Sequence, residues 1–104
     1  MHVISKKAFI EACKKYPSQK RAIMDLYVIL DKGEFKSPED LRKVYKTLDN
    51  FKYKDKWWVI DIAGNKLRMI AFIQFVHNRI YVKHIVSHAD YDKLTNLYRG
   101  GNKK

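Results

Sequence analysis

Three segments hold side chains able to move protons and grip phosphate. They are Lys66 and Arg68 after the Gly64-Asn65 pair, His84 within an apolar run, and the group His88, Tyr91 and Lys93. Cutting RNA without a metal needs three services: a 2′-hydroxyl must lose a proton, the crowded phosphorane needs positive charge, and the leaving 5′-oxygen must gain a proton. Histidine serves either transfer because its unperturbed pKa is about 6.5. Arginine offers a planar fork to phosphate oxygens, and lysine a point charge. Tyrosine stacks on a base, donates a hydrogen bond, or shares a proton transfer where cations lower its pKa. Lys52, Lys54 and Lys56 ahead of Trp57, and Lys83 beside His84, extend the charge and suit RNA phosphates.

Each side chain also has a plainer role open to it. Arg68 at a strand start suits surface charge, His84 between Val82 and Val86 suits a partly buried histidine, and Tyr91 suits packing of its helix. The lysines persuade only in sum. The chain of 104 residues carries 22 Lys and Arg against 11 Asp and Glu, a net charge of +11, where small domains usually hold roughly 2 to 8 units. Such an excess favours a polyanionic partner, nucleic acid first.

Other familiar chemistries lack their residues. No GxxxxGKS/T loop, GxSxG elbow, HExxH pair or EF-hand loop occurs. Cys13 is the only cysteine, which excludes an internal disulfide and a thiolate cluster. His84 and His88 stand about 13 Å apart if one strand runs through both, too far to share a metal. No apolar run reaches the roughly 18 residues that span a membrane. The expectation is a cytoplasmic protein with no metal, no cofactor and no membrane partner.

The elements that must position these residues fall into two halves. His2–Ile4 suits a short strand or a lead into a helix, and Ser5 suits the cap of a helix with Ala8, Phe9, Ala12, Cys13 and Tyr16 on one face. Pro17 ends that helix and can start the next, where Ile23, Leu26, Tyr27 and Leu30 form a stripe closed by Gly33. Ser37-Pro38-Glu39-Asp40 starts a third helix running to Leu48, with Asp40 closing a capping box and Asp49-Asn50 as a turn.

Beyond residue 50 the pattern is strand-like. Strands are expected at Phe51–Tyr53, Trp57–Ile62, Arg68–Phe75 and Arg79–Ser87, with turns at Ala63-Gly64-Asn65 and His77-Asn78. Parity groups Arg68, Ile70, Phe72 and Gln74 on one face, and Ile80, Val82, His84 and Val86 together on another. A last helix is expected over Asp90–Tyr98. The fold class is α+β: N-terminal helices packed on a twisted antiparallel sheet with a short C-terminal helix, one domain over 1–98 and a flexible basic tail over 99–104.

Met1-His2-Val3-Ile4-Ser5, Gly64-Asn65-Lys66-x-Arg68 and Ser87-His88-Ala89-x-Tyr91-Asp92-Lys93, in this order and spacing, resemble the HigB-type toxins of the RelE-like superfamily over roughly residues 1 to 95. The resemblance implies a compact RelE-like fold and the toxin of a type II toxin–antitoxin system. It also implies a metal-independent endoribonuclease that cuts mRNA on the translating ribosome, and a cognate helix-turn-helix antitoxin through which alone operator DNA is met. By the same resemblance Arg68, His88, Tyr91 and Lys93 are the catalytic set, with Lys66 and His84 carried over less directly. Ser87 stands where the family more often has Thr, which keeps the hydroxyl. Arg68 is then expected on the scissile phosphate, Lys66 and Lys93 as supporting charge, His88 in proton transfer, and Tyr91 on the nucleotide. The alternative of another class is a non-catalytic basic RNA- or ribosome-binding module, which shares the charge but has no use for His88 and Tyr91 beside Arg68. A DNA-binding factor is disfavoured, since only the helix with Arg42, Lys43 and Lys46 offers a modest recognition face.

Overall fold

Helical spacing of apolar residues sets the first half. The computed structural model describes residues 1–4 and 6–101, so the expected cap at Ser5 and residues 102–104 of the expected tail lie outside it. Helix α1, Lys6–Lys15, buries Phe9 and Ala12. Pro17 opens a single 3-10 turn, Pro17–Gln19, and α2 follows only at Lys20–Lys32, burying Ile23, Leu26 and Leu30. Gly33 ends α2 in extended backbone with φ −82°. The position is crowded: a Cβ there would come within 2.7 Å of the Phe35 ring and 2.8 Å of the Ile29 carbonyl.

Ser37 caps α3, Pro38–Val44, its Oγ accepting from the Asp40 N–H at 3.3 Å. Asp40 does not return a bond to Ser37; its carboxylate accepts from the Lys36 N–H at 3.1 Å. The helix stops before Leu48, which nonetheless stays buried, and Arg42 Nε donates to the Leu48 carbonyl at 3.2 Å.

Strands β1 His2–Ile4, β2 Asp49–Asn50, β3 Trp57–Ile62, β4 Leu67–Gln74 and β5 Arg79–Ser87 form a five-stranded sheet in the order β1-β5-β4-β3-β2. The meander β3-β4-β5 is antiparallel, as expected, while β1 joins β5 in parallel and makes the sheet mixed. Asp49 and Asn50 pair with Val59 and Trp58 rather than forming a turn. Phe51 to Tyr53 is not a strand, because Phe51 leaves the sheet edge and drops into the interior, 2% exposed.

A β-bulge decides what each face carries. Leu67↔Ser87, Arg68↔Val86, Met69↔Ile85 and Ile70↔His84 pair in step, but the next partner of Ala71 is Val82, so Lys83 is the extra residue on β5. The bulge breaks the simple parity of β5. Ile80 and Val82 share a face with Ala71, Met69 and Ile85, whereas His84 and Val86 share one with Arg68 and Ile70. The first face, with Ile60 and Ile62 of β3, packs on α1 and α2 as the main core. The second receives α4, His88–Gly101, in a smaller cluster built on Phe51, Val59 and Ile70 with Tyr91, Leu94 and Tyr98.

Helix α4 starts directly after β5 and runs past Tyr98, longer than expected at both ends. Ser87 is its cap, Oγ accepting from the Asp90 N–H at 3.2 Å, and the Ser87 N–H donates to the Tyr16 hydroxyl at 3.1 Å. His88 is therefore helical, and the strand spacing that separated it from His84 does not apply.

Candidate active site

Arg68 leaves β4 on the α4 face, and two neighbours fix it on different axes. Asp61, its pairing partner on β3, brings Oδ1 to 3.3 Å from Nε. The contact is ionic rather than a well-aimed hydrogen bond, since the buried Nε has no acceptor in line with it. Tyr91 lies across the guanidinium, 4.5 Å from ring centre to Cζ. Asp61 thus holds one edge and Tyr91 one face. Among the described residues the Arg68 side chain has no other hydrogen bond, ion pair or ring contact, which leaves the Nη1/Nη2 edge, the fork that fits two phosphate oxygens. Asp61 is itself steadied through its backbone N–H, which donates to Thr47 Oγ1 at 3.1 Å.

The bulge places His84 on the same face, diagonal to Arg68 across the β4–β5 pair, a Cα spacing of about 7 to 8 Å. Its Nε2 is hydrogen bonded to the Tyr98 hydroxyl at 2.8 Å. Burial lowers the His84 pKa, Lys83 lowering it further by repulsion, and burial raises that of Tyr98. Both groups are accordingly neutral near pH 7. Around them Trp57 meets Tyr98 edge to face at 5.4 Å, and Phe72 lies 5.7 Å from Tyr81. Lys83 Nζ sits 5.8 Å from the Trp57 ring and 6.0 Å from Tyr81, and Lys54 Nζ 5.6 Å from Tyr98. Cations over half-buried aromatic faces form a surface suited to stacked bases and their phosphates.

The first turn of α4 carries His88, exposed, with Nδ1 3.8 Å from Asp92 Oδ2. His88 and Tyr91 are three apart and so neighbour each other on the helix surface. Lys93 follows Tyr91 by two positions, about 200° around the helix, and points away from the Arg68 contact. Lys66 is exposed in the β3–β4 turn, two residues before Arg68. That turn bends through Ala63 at φ 55° and Gly64 at φ 74°, left-handed backbone that suits glycine and strains alanine. Lys52, Lys54 and Lys56 are exposed on the segment joining β2 to β3, and Lys52 Nζ lies 5.2 Å from the Tyr53 ring.

The fold therefore brings Arg68, Tyr91, His84 and, at the margin, His88 onto one face, and spreads the lysines around it. A groove of about 780 Å³ lies not over Arg68 but at the other end of β4, between the 50–58 segment and the β4–β5 turn. Asp61, Tyr98, Trp57 and Phe51 were not among the residues nominated from sequence. Phe51 is the hub, with ring centres of Tyr53, Trp57, Tyr91 and Tyr98 between 5.5 and 6.4 Å away. A sequence signal existed for Asp61 alone: across a four-residue turn, β3 and β4 in register set it opposite Arg68.

Comparison with known proteins agrees with this architecture. The HigB toxin family, described as the RelE-like toxic component of a toxin-antitoxin system, matches residues 19–94. An mRNA interferase HigB of Escherichia coli O6:H1 is 50% identical over 99 residues, covering 95% of this chain and 96% of that protein. The mRNA interferase toxin HigB of Escherichia coli (strain K12) is 40% identical over 104 residues, the whole of both chains, as is an mRNA interferase HigB of Shigella flexneri.

Proposed function

The chain belongs to the HigB family of RelE-like toxins of toxin–antitoxin systems, and from that premise we propose that it is an mRNA endoribonuclease whose reaction is centred on Arg68. The observation that carries the reading is the clamp on Arg68. Its edge is held by Asp61 and its face by Tyr91, so the charged fork is fixed before any substrate arrives. Preorganised charge of this kind acts most strongly where negative charge develops during reaction.

In the mechanism that follows, the Arg68 fork takes the two non-bridging oxygens of the scissile phosphate. The 2′-oxygen attacks phosphorus, the bond to the 5′-oxygen breaks, and a 2′,3′-cyclic phosphate and a free 5′-hydroxyl result. His88 serves one of the two proton transfers. Asp92 lies beside Nδ1 and leaves Nε2 for the substrate. Tyr91 fixes Arg68 and flanks the nucleotide. Lys66 adds charge close by, and Lys93, on the outward side of α4, adds it at longer range.

The RNA is held by base stacking near Trp57 and Tyr98 and by Lys52, Lys54, Lys56 and Lys83 on phosphates, with His84 offering a neutral polar edge. Cleavage proceeds on the translating ribosome, in the cytoplasm, without a metal. The partner that restrains it is a cognate antitoxin with a helix-turn-helix domain, through which the pair meets operator DNA. A net charge of +11 suits both rRNA and an acidic antitoxin segment.

Product analysis tests the mechanism. Fragments released by the purified protein from a message on ribosomes should accept label at their 5′ ends from a polynucleotide kinase without prior phosphatase treatment. Fragments that need phosphatase carry 5′-phosphates and would exclude attack by the 2′-hydroxyl. Binding of RNA without fragments would favour the non-catalytic module.

A further inference from the structure

The groove at the far end of β4 is walled by Trp57, Trp58 and Phe75 and rimmed by Lys52, Lys54 and Lys56. Its charge points to an anion, since Lys52, Lys54 and Lys56 line it together with one carboxylate, Asp55. Its walls offer aromatic surface, with Trp58 meeting Phe75 edge to face at 5.9 Å. It adjoins the α4 face through Tyr98, seven residues or about 10 Å along the helix from Tyr91. Trp57 packs on Tyr98, Lys54 sits over the Tyr98 ring, and Trp57 and Lys54 line the groove, while Trp58 and Phe75 belong to the main-core side. Aromatic walls within a cationic rim bind single-stranded nucleic acid with little regard for sequence, each stacked base adding to affinity.

Arg68 and Gln74 mark the two ends of this path and are six residues apart on one strand, about 20 Å at 3.3 Å per residue. A stacked strand at about 3.4 Å per nucleotide crosses that distance in about six nucleotides, and an unstacked one in fewer. We infer that this groove receives a splayed-out nucleobase of the substrate RNA, up to about six nucleotides from the cleaved bond, with Lys52, Lys54 and Lys56 on the neighbouring phosphates. The inference rests on the ribonuclease reading above and adds to it a second, remote contact with the strand.

Both tryptophans of the chain line the groove, so intrinsic fluorescence reports its occupation, and Trp57→Phe leaves Trp58 as the sole reporter. The probes are 2′-O-methyl oligoribonucleotides of three, six and nine residues, which lack the attacking hydroxyl and remain intact. Affinity should rise at least tenfold from three to six residues and change less than threefold from six to nine. Trp58 emission should change only with the longer two. In Lys52→Gln/Lys56→Gln the slope of log Kd against log salt should become shallower by about 1.4, two single-strand phosphate contacts.

A hexamer that binds by anisotropy without altering Trp58 emission would overturn the inference while leaving the ribonuclease reading intact. So would a Trp58 response to an acidic peptide but to no oligonucleotide. A salt slope unchanged in the double variant would overturn it too and also take Lys52 and Lys56 off the RNA, leaving the cleavage centred on Arg68 untouched. Loss of all oligonucleotide binding together with absence of message cleavage would strike the functional reading itself.

Discussion

Arg68 illustrates how little of a side chain's role its type alone conveys. In sequence the residue suits surface charge or, slightly better, phosphate; Asp61 and Tyr91, neither adjacent to it in the chain, fix two of its axes and support the phosphate reading. Arg68→Lys keeps the charge and removes the fork, so single-turnover cleavage should fall about 100-fold; a rate within threefold of wild type would take Arg68 off the scissile phosphate. His84 gives a stability prediction. Burial first, and Lys83 second, hold its folded pKa below the usual 6.5, so the unfolded chain binds the proton more readily. The stability it contributes is complete above about pH 6.5 and is lost as pH falls through the lower folded value. In His84→Gln the melting temperature should fall less steeply than in wild type between about pH 7 and 5; identical slopes would contradict the assignment. Residue types, with the family resemblance, were enough to nominate Arg68, His88 and Tyr91. Asp61 was open to reading only through the register of β3 and β4 across their turn, and Tyr98 was not, because its role depends on the seating of α4, which no single residue announces.

The elements explain why these particular side chains meet. Alternating and helical spacing made the three meander strands legible almost to the residue, along with α1 and α2, because one face of each must be buried. Three features were hidden. The bulge at Lys83 inserts one residue without any glycine or proline to mark it, and it turns His84 toward Arg68. Asp49-Asn50 has poor strand propensity and pairs only because β3 offers it an edge. The start of α4 at His88 depends on Ser87, whose hydroxyl reads as a strand residue until its bond to the Asp90 N–H is seen. Ser87→Ala should cost about 1 kcal/mol, a fall in melting temperature of roughly 4 to 8 °C for a domain of this size. It should lower cleavage further than stability accounts for, since the frayed turn carries His88 and Tyr91. An unchanged melting temperature would deny Ser87 the cap. Phe51→Ala removes the hub under Tyr91 and Tyr98 and should cost about 3 to 5 kcal/mol in denaturant unfolding; a cost below about 1 kcal/mol would show that the second cluster carries little of the fold.

At the scale of the whole molecule, two hydrophobic clusters on opposite faces of one sheet divide the labour. The larger, beneath α1 and α2, supplies stability; the smaller, beneath α4, seats the residues assigned to chemistry. The net charge of +11 surrounds both and draws in polyanions without choosing among them. Charge alone therefore does not separate a ribonuclease from a binding module; the proposed roles of the held Arg68 and of His88 on the adjoining helix turn are what a test must separate. The most direct measurement is induction of wild type and of an Arg68→Ala/His88→Ala variant in cells, with message 5′ ends mapped before and after and both proteins shown to be folded. Growth arrest with new internal message ends from wild type alone is the predicted result. New ends from both proteins, or from neither in the absence of antitoxin, would contradict an mRNA-cleaving site built on these residues.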